Sequence, residues 1–330
     1  MELGHPGRNH RRESFEQMLR LILRRVLLML LIAIAVSALL FFTVTQFLGS
    51  PAEMMLGQDA SPKAVAALNT AYGFDRPAVL QYLHWLGGAL RGDLGYSYTT
   101  RESVATVIAA RFPVTLELSF WSISLAVIAA VASNTVPVAR KQLEPVVIVA
   151  NLVGITVPNF MLGVSLIFIL SVKLGLLPST GWAPWSDGIG VHLEHLLLPV
   201  LTLSAFYFGT FSIVYRAEYQ SVIRREFIQV ARAKGLAEWR VAFRHAAPNA
   251  ILPVITFVGI SIGQLTGGAV VTETIFSMPG MGRLFVSSIE SRDFPVMLAV
   301  SMLIVVGVVV MNLLADIGYE VANPQIRHPS

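Results

Sequence analysis

His192 and His195, with Glu194 between them, bring two imidazoles and a carboxyl group into four consecutive residues, "HLEH", and these are side chains that bind transition metals. They could suggest a metal pair, but no third ligand stands nearby in sequence and they lie outside the long apolar runs, so the segment reads as an interfacial loop. A second chemical pattern, "GISIG" from Gly259 to Gly263, matches the G-x-S-x-G signature of a serine nucleophile. That chemistry needs a sharp strand-to-helix turn to expose the hydroxyl, and this match falls inside an apolar run. Glu117 and Glu273 stand near the ends of apolar runs, where a gradient-driven carrier could build a proton or ion relay. Their position suits helix-end or interhelical hydrogen bonding better, and no inverted repeat accompanies them. None of Lys63, Lys141, Lys173 or Lys234 sits in a G-x-x-x-x-G-K-S/T loop, so no backbone cradle for ATP phosphates is expected. The chain has no Cys, which removes disulfides, thiolate nucleophiles and Cys-based metal sites. No catalytic, cofactor-binding or metal-binding residue is assigned.

The elements that would position any of these groups are membrane helices. Of the 330 residues 55% are hydrophobic and 13% charged, and the apolar ones come in long runs. A hydrocarbon core of about 30 Å takes about 20 helical residues. Six runs qualify: Val26 to Phe47, Thr115 to Val136, Val146 to Val172, Leu196 to Tyr215, Ile251 to Thr274 and Pro295 to Ala315. Continuous runs exclude a β-barrel, whose strands alternate. The fold expected is all-α and polytopic, with six transmembrane helices. A basic start before the first run also fits a signal peptide, but the run is longer than a signal core and its small-x-small pair lies inside it, so an uncleaved helix is expected.

Lys and Arg set the orientation. Placing both termini in the cytoplasm puts 16 of the 24 basic residues on that side. The chain then divides into a cytoplasmic segment 1–25, a first span 26–47, an extracytoplasmic loop 48–114, a five-helix core 115–315 with a cytoplasmic loop at 216–250, and a cytoplasmic tail 316–330. The net charge of +4 is the ordinary border of membrane helices and calls for no nucleic acid. In the long outer loop, "PKAVAALNTAYGF" and "AVLQYLHWLGGAL" carry apolar residues at helical spacing.

Between the fourth and fifth spans, Glu218 to Lys234 favours helix, and Gly235 is placed to close it in the left-handed conformation. A second short helix follows, with Leu236, Trp239, Ala242 and Phe243 on one apolar face, Glu238, Val241 and Arg244 elsewhere, and a break at Pro248 and Asn249. An apolar stripe led by Trp and Phe needs burial, either in the bilayer interface or in a groove on another protein. Gly259, Gly263 and Gly267 recur every four residues and would let another helix approach closely.

"ARAKGL" (Ala231 to Leu236) followed by "HAAPNAILPVIT" (His245 to Thr256) resembles the cytoplasmic signature loop of membrane subunits of binding-protein-dependent ABC importers, most closely the dipeptide/oligopeptide permease branch. "RPAVLQYLHWLGGALRGDLGYSY", "RFPVTLELS", "HLLLPVLTLS", "ETIFSMPGMGRLF" and "SRDFPVM" are similar to further stretches of that branch, in order and over nearly the whole chain. The chain departs from it at "LGSPAEMM", where a Pro-Gly-Asp-Pro-like turn is usual, at "NPQIR", where Asp-Pro-Arg is common, and at Val230, often Thr.

The resemblance implies a type I ABC importer permease fold in a bacterial inner membrane. It implies partners: a second related permease, two ATP-binding subunits that bind ATP and Mg, and an extracytoplasmic substrate-binding protein. It makes the loop a coupling helix seated in an ATPase cleft, with Ala231, Ala233, Lys234, Gly235, Leu236, Trp239, Ala242 and Phe243 as the coupling residues. Peptides are the expected cargo; nickel or metal chelates, glutathione and opines are the alternatives within the same architecture.

Overall fold

The computed structural model describes residues 7–47, 51–56, 61–136 and 144–322. Their regular structure is helical: α1 (Gly7–Phe47), α2 (Pro51–Leu56), α3 (Pro62–Tyr72), α4 (Ala78–Leu90), α5 (Val104–Thr135), α6 (Glu144–Thr156), α7 (Asn159–Leu166), α8 (Ile189–Val222), α9 (Glu226–Ala233), α10 (Glu238–Arg240), α11 (Ala247–Ala250), α12 (Leu252–Ile275), α13 (Met281–Glu290) and α14 (Phe294–Ala322). One antiparallel bridge joins Tyr96 to Ser103. The "LGS" turn at 48–50, the basic pair Arg140 and Lys141, and the "NPQIR" tail lie outside the described residues.

Four helical stretches are long and apolar enough to cross a membrane: Val26–Thr43, Val104–Thr135, Ile189–Val222 and Phe294–Leu313. Two bent pairs bring the number to six when each counts as one span. The first pair corrects the expectation of one continuous third span, because Glu144–Thr156 and Asn159–Lys173 meet at 112°. Pro158 is the cause: it lacks an N–H and disfavours helical backbone at Val157. In the second pair, Glu238–Ala250 and Leu252–Gly259 meet at 41°. The break comes at Ile251 rather than at Pro248 and Asn249, since Pro248 sits in the first turn of α11, where a missing N–H costs nothing. Helix α5 starts at Val104, ahead of its apolar run, because Val104 and Ile108 are buried with Met281, Val296 and Val300.

α8 is the hub and packs against α5, α6, α7 and α12. Leu198, Leu203, Phe211 and Tyr215 are buried along its length, and the Tyr215 hydroxyl meets Thr135 Oγ1 of α5 at 2.7 Å. On another face α8 meets α6 almost backbone to backbone. A Cβ on Gly154 would run into the Ala205 carbonyl, and one on Gly209 would lie 2.6 Å from Ile155 Cγ1 and 2.8 Å from the Asn151 oxygen. Small residues are how membrane helices gain such contact. Of the predicted glycine stripe, Gly259 is half-buried in α12, while the surroundings of Gly263 and Gly267 lie outside the described residues. "GISIG" lies within α12, a continuous helix rather than a turn.

Three buried polar groups pin the helices. The Glu273 carboxyl group, fully buried in α12, accepts from Thr115 Oγ1 of α5 at 2.6 Å and from the Arg283 N–H of α13 at 3.0 Å. Thr115 Oγ1 in turn accepts from the Met281 N–H at 2.8 Å. Gly280 is obligatory there, because a Cβ would occupy the space of the carboxyl group. Asp293 accepts from Ser97 Oγ and from the Tyr98 and Thr99 N–H groups, at 3.1 and 3.3 Å for the two amides. Two stretches almost 200 residues apart, "GDLGYS" and "SRDFP", thereby meet at one carboxyl group. His192 bonds Glu117 Oε1 through Nε2 at 3.0 Å and the Ala183 oxygen through Nδ1 at 2.7 Å, and it stacks on Trp185. His195 Nδ1 bonds the Val191 oxygen at 2.9 Å. Both histidines lie in α8 rather than in the interfacial loop expected; His192 ties α8 to α5, whereas the His195 bond stays within α8, and the described residues contain no group of three or more potential ligands placed to hold a metal.

Gly154→Val and Gly209→Val are expected to cost about 1–3 kcal/mol each through overpacking, lowering the thermal midpoint in detergent by several degrees. Gly190→Ala, where a Cβ meets nothing within 4 Å, should leave it unchanged. Glu273→Ala strands the Thr115 hydroxyl and the Arg283 N–H, so a loss of about 2–3 kcal/mol is expected by the same thermal assay. Glu273→Gln, which keeps one acceptor, should recover part of it.

Candidate functional site

The segment leaving α8 is amphipathic and basic, and its geometry follows from its sequence. α8 ends at Val222, a tight turn covers Ile223 to Arg225, and α9 runs to Ala233. Gly235 then takes a left-handed φ of 76°. Its N–H bonds the Arg232 oxygen at 2.9 Å, and the Leu236 N–H bonds the Ala231 oxygen at 3.3 Å. These two bonds form the Schellman closure of a helix, which favours a residue without Cβ at that position. The chain reverses and enters α10, continues through a π-helical turn, Val241–Ala246, and reaches α11.

The hairpin is held from within by apolar contacts and from outside by an ion pair. Ile228, Ala231, Val241, Ala246 and Ala250 are buried in the same cluster as Tyr215, Tyr219 and Val222 of α8. On the surface, Arg232 Nε and Nη2 donate to Glu238 Oε1 and Oε2 at 3.0 and 3.2 Å, a two-pronged clasp from α9 to α10. Packing against α8 fixes the hairpin as an extension of the hub helix.

The eight predicted residues divide in two. Ala233, Lys234, Gly235, Trp239 and Phe243 are exposed, and Leu236 is half-buried against the core. Ala231 and Ala242 are buried inside the chain and present nothing outward. Val241, expected off the apolar face, is buried beside Ala242. The reason is the π-helical turn: it is wider than 3.6 residues, so the period that grouped Ala242 with Trp239 no longer holds. Trp239 is 59% exposed and Phe243 45%, and the Arg240 guanidinium sits 5.3 Å from the Trp239 ring centre. Two further exposed apolar residues, Phe227 and Val230, escaped the sequence reading. Their three-residue spacing on α9, with Ile228 and Ala231 on the buried side, is the signal that identifies them.

The basic hairpin exposes an indole and a phenyl ring while its small residues pack inward. Exposed aromatic and Arg side chains on a rigid frame are the usual anchors of protein interfaces.

Residues 122–328 match the family model described as binding-protein-dependent transport system inner membrane component, and residues 18–119 match the model of the N-terminal part of such membrane components. The glutathione transport system permease protein GsiC of Escherichia coli strain K12 is 35% identical over 313 residues, covering 94% of this chain and all of that protein. GsiC of Shigella flexneri serotype 5b gives the same values, and GsiC of Shigella boydii serotype 4 is 34% identical over the same length. With the hub helix, the amphipathic hairpin and both family matches in place, the chain belongs to the binding-protein-dependent transport system inner membrane components and is a multi-pass permease subunit of an ABC importer.

Proposed function

We propose that this permease forms half of a translocation path for di- or oligopeptides, the other half being a second, related permease. The relatives are named for glutathione transport, and glutathione is itself a short peptide, which supports a peptide cargo. An extracytoplasmic binding protein delivers the cargo. Two separate ATPase subunits bind ATP with Mg and supply the work. Both termini lie in the cytoplasm, since that orientation puts the basic hairpin on the side where Lys and Arg accumulate.

The observation that carries the coupling role is the exposure of Trp239 and Phe243 on a hairpin whose inner face is packed into α8. Inserted into a cleft of the ATPase, the two rings would move with it. The buried contacts would pass that movement to α8, and α8 to the helices α5, α6, α7 and α12 around it. Gly235 sets the angle of the hairpin through its left-handed turn, and the Arg232–Glu238 clasp keeps α9 and α10 together.

Trp239→Ala combined with Phe243→Ala should reduce ATPase co-purification and peptide uptake by about 30-fold or more, as loss of a buried aromatic anchor does. The thermal midpoint of the chain should stay unchanged. Intact association and intact uptake would overturn the coupling role. Gly235→Val, strained at φ 76°, should lower uptake, whereas Gly235→Asn, which tolerates the left-handed region, should keep most of it. Equal uptake by the two variants would remove the turn from the mechanism.

A further inference from the structure

A cavity of about 620 Å³ lies away from the hairpin, where the end of α1 meets α4, the 94–101 loop and the start of α14. Its walls combine two chemistries. Phe41, Trp85 and Phe294 give an aromatic floor, and Arg76, His84 and Arg101 give basic or hydrogen-bonding groups. Asp93, the single acidic residue among its walls, is turned to the Gly95 N–H, which its Oδ1 accepts at 3.0 Å. Neither Arg76 nor Arg101 forms an ion pair among the described residues. Both are nevertheless held in place. Gln81 Nε2 donates to the backbone oxygens of Phe74 and Arg76 at 2.9 and 2.8 Å, which fixes the turn that carries Arg76, and Arg101 Nη2 donates to the Met55 oxygen at 3.1 Å. Two guanidinium groups without counter-ions among the described residues are prepared for an anion.

Two further observations say what kind of anion. Trp85 lines the cavity with its ring, and its indole N–H is buried with no acceptor among the described residues. Helix α4 is apolar on both sides: Tyr82 packs inward on Phe41 and Phe42, while Val79, Leu80, Leu83 and Leu90 are each more than half exposed. In water such an outer face would be costly. In a membrane interface it would be covered by acyl chains, with Trp and Arg at head-group level. The apolar stretch Val26–Thr43 of α1 ends beside the cavity, which places it at the border of the hydrocarbon layer.

We propose that this cavity binds the anionic head group of a membrane phospholipid. Arg76 and Arg101 hold the phosphate and the Trp85 ring packs beside the head group, while the acyl chains lie on the outer face of α4 and along α1. The lipid would fasten the α3–α4 region to the bilayer independently of the ATPase-facing hairpin.

The test uses the full-length chain in lipid nanodiscs and reads the Trp85 fluorescence, taken as wild type minus Trp85→Phe, as brominated phospholipid is added. Brominated phosphatidylglycerol is expected to half-quench it at about a tenfold lower mole fraction than brominated phosphatidylcholine, given two arginines near the membrane surface. Arg76→Gln with Arg101→Gln should abolish that preference while circular dichroism shows unchanged helix content. Native mass spectrometry of the wild type should show retained phosphatidylglycerol that the double variant has lost. Equal quenching by the two head groups, or a Trp85 signal that neither lipid quenches, would overturn the proposal. Displacement of the brominated lipid by inorganic phosphate or by a soluble peptide would also overturn it, identifying a solute site or a peptide site instead.

Discussion

A carboxyl group enclosed by helices must find hydrogen-bond donors, and Glu273 finds them on two other elements. Burying such a group without partners would cost several kcal/mol, so its partners are constrained to stay. Thr115 must come from α5 and the free N–H groups from the first turn of α13, where an acceptor is also favoured by the helix dipole. The corner between α12 and α13 is therefore fixed in angle and in register. Gly280 and Gly282 follow from the same constraint: a Cβ at the first would collide with Glu273 and at the second would lie 2.5 Å from the Val270 Cα.

Asp293 repeats the device one corner later. Arg292, with a φ of 54°, closes α13, and the turn presents the Asp293 carboxyl group to the loop holding Ser97, Tyr98 and Thr99. The loop that walls the proposed lipid cavity is thus fastened to the start of α14. At the opposite side of the hub, α8 is fastened to α6 by the close approach at Gly154 and Gly209, and to the hairpin by buried alanines and valines. The coupling proposed for the hairpin needs such fastened segments, because a soft one would absorb the displacement. The exposed rings of Trp239 and Phe243 stand on the outer side of the hairpin fastened to α8.

The apolar runs were long enough to mark the spans, and the "ARAKGL" and "HAAPNA" segments were specific enough to mark the hairpin. Gly235 was legible as a helix stop, because only a few residue types tolerate that backbone. Two local features were harder. The break at Val157 and Pro158 was hidden by unbroken hydrophobicity on both sides, and the π-helical turn at Val241–Ala246 has no signature in residue type. The π-helical turn shifted the face of its helix and Ala242 turned inward with it, whereas Ala231 lies on the buried side of α9 beside Ile228.

Composition and order of segments determined that the chain is helical, membrane-spanning and a permease, since burial in lipid demands internal hydrogen bonding and long apolar stretches whatever their arrangement. Pairing across the chain was decided by tertiary structure alone. That Ser97 would meet Asp293, that Glu117 would meet His192 and that two arginines would converge beside Trp85 depends on how helices pack in three dimensions. Local sequence periodicity carries a helix's own face but holds no information about which distant helix will cover it.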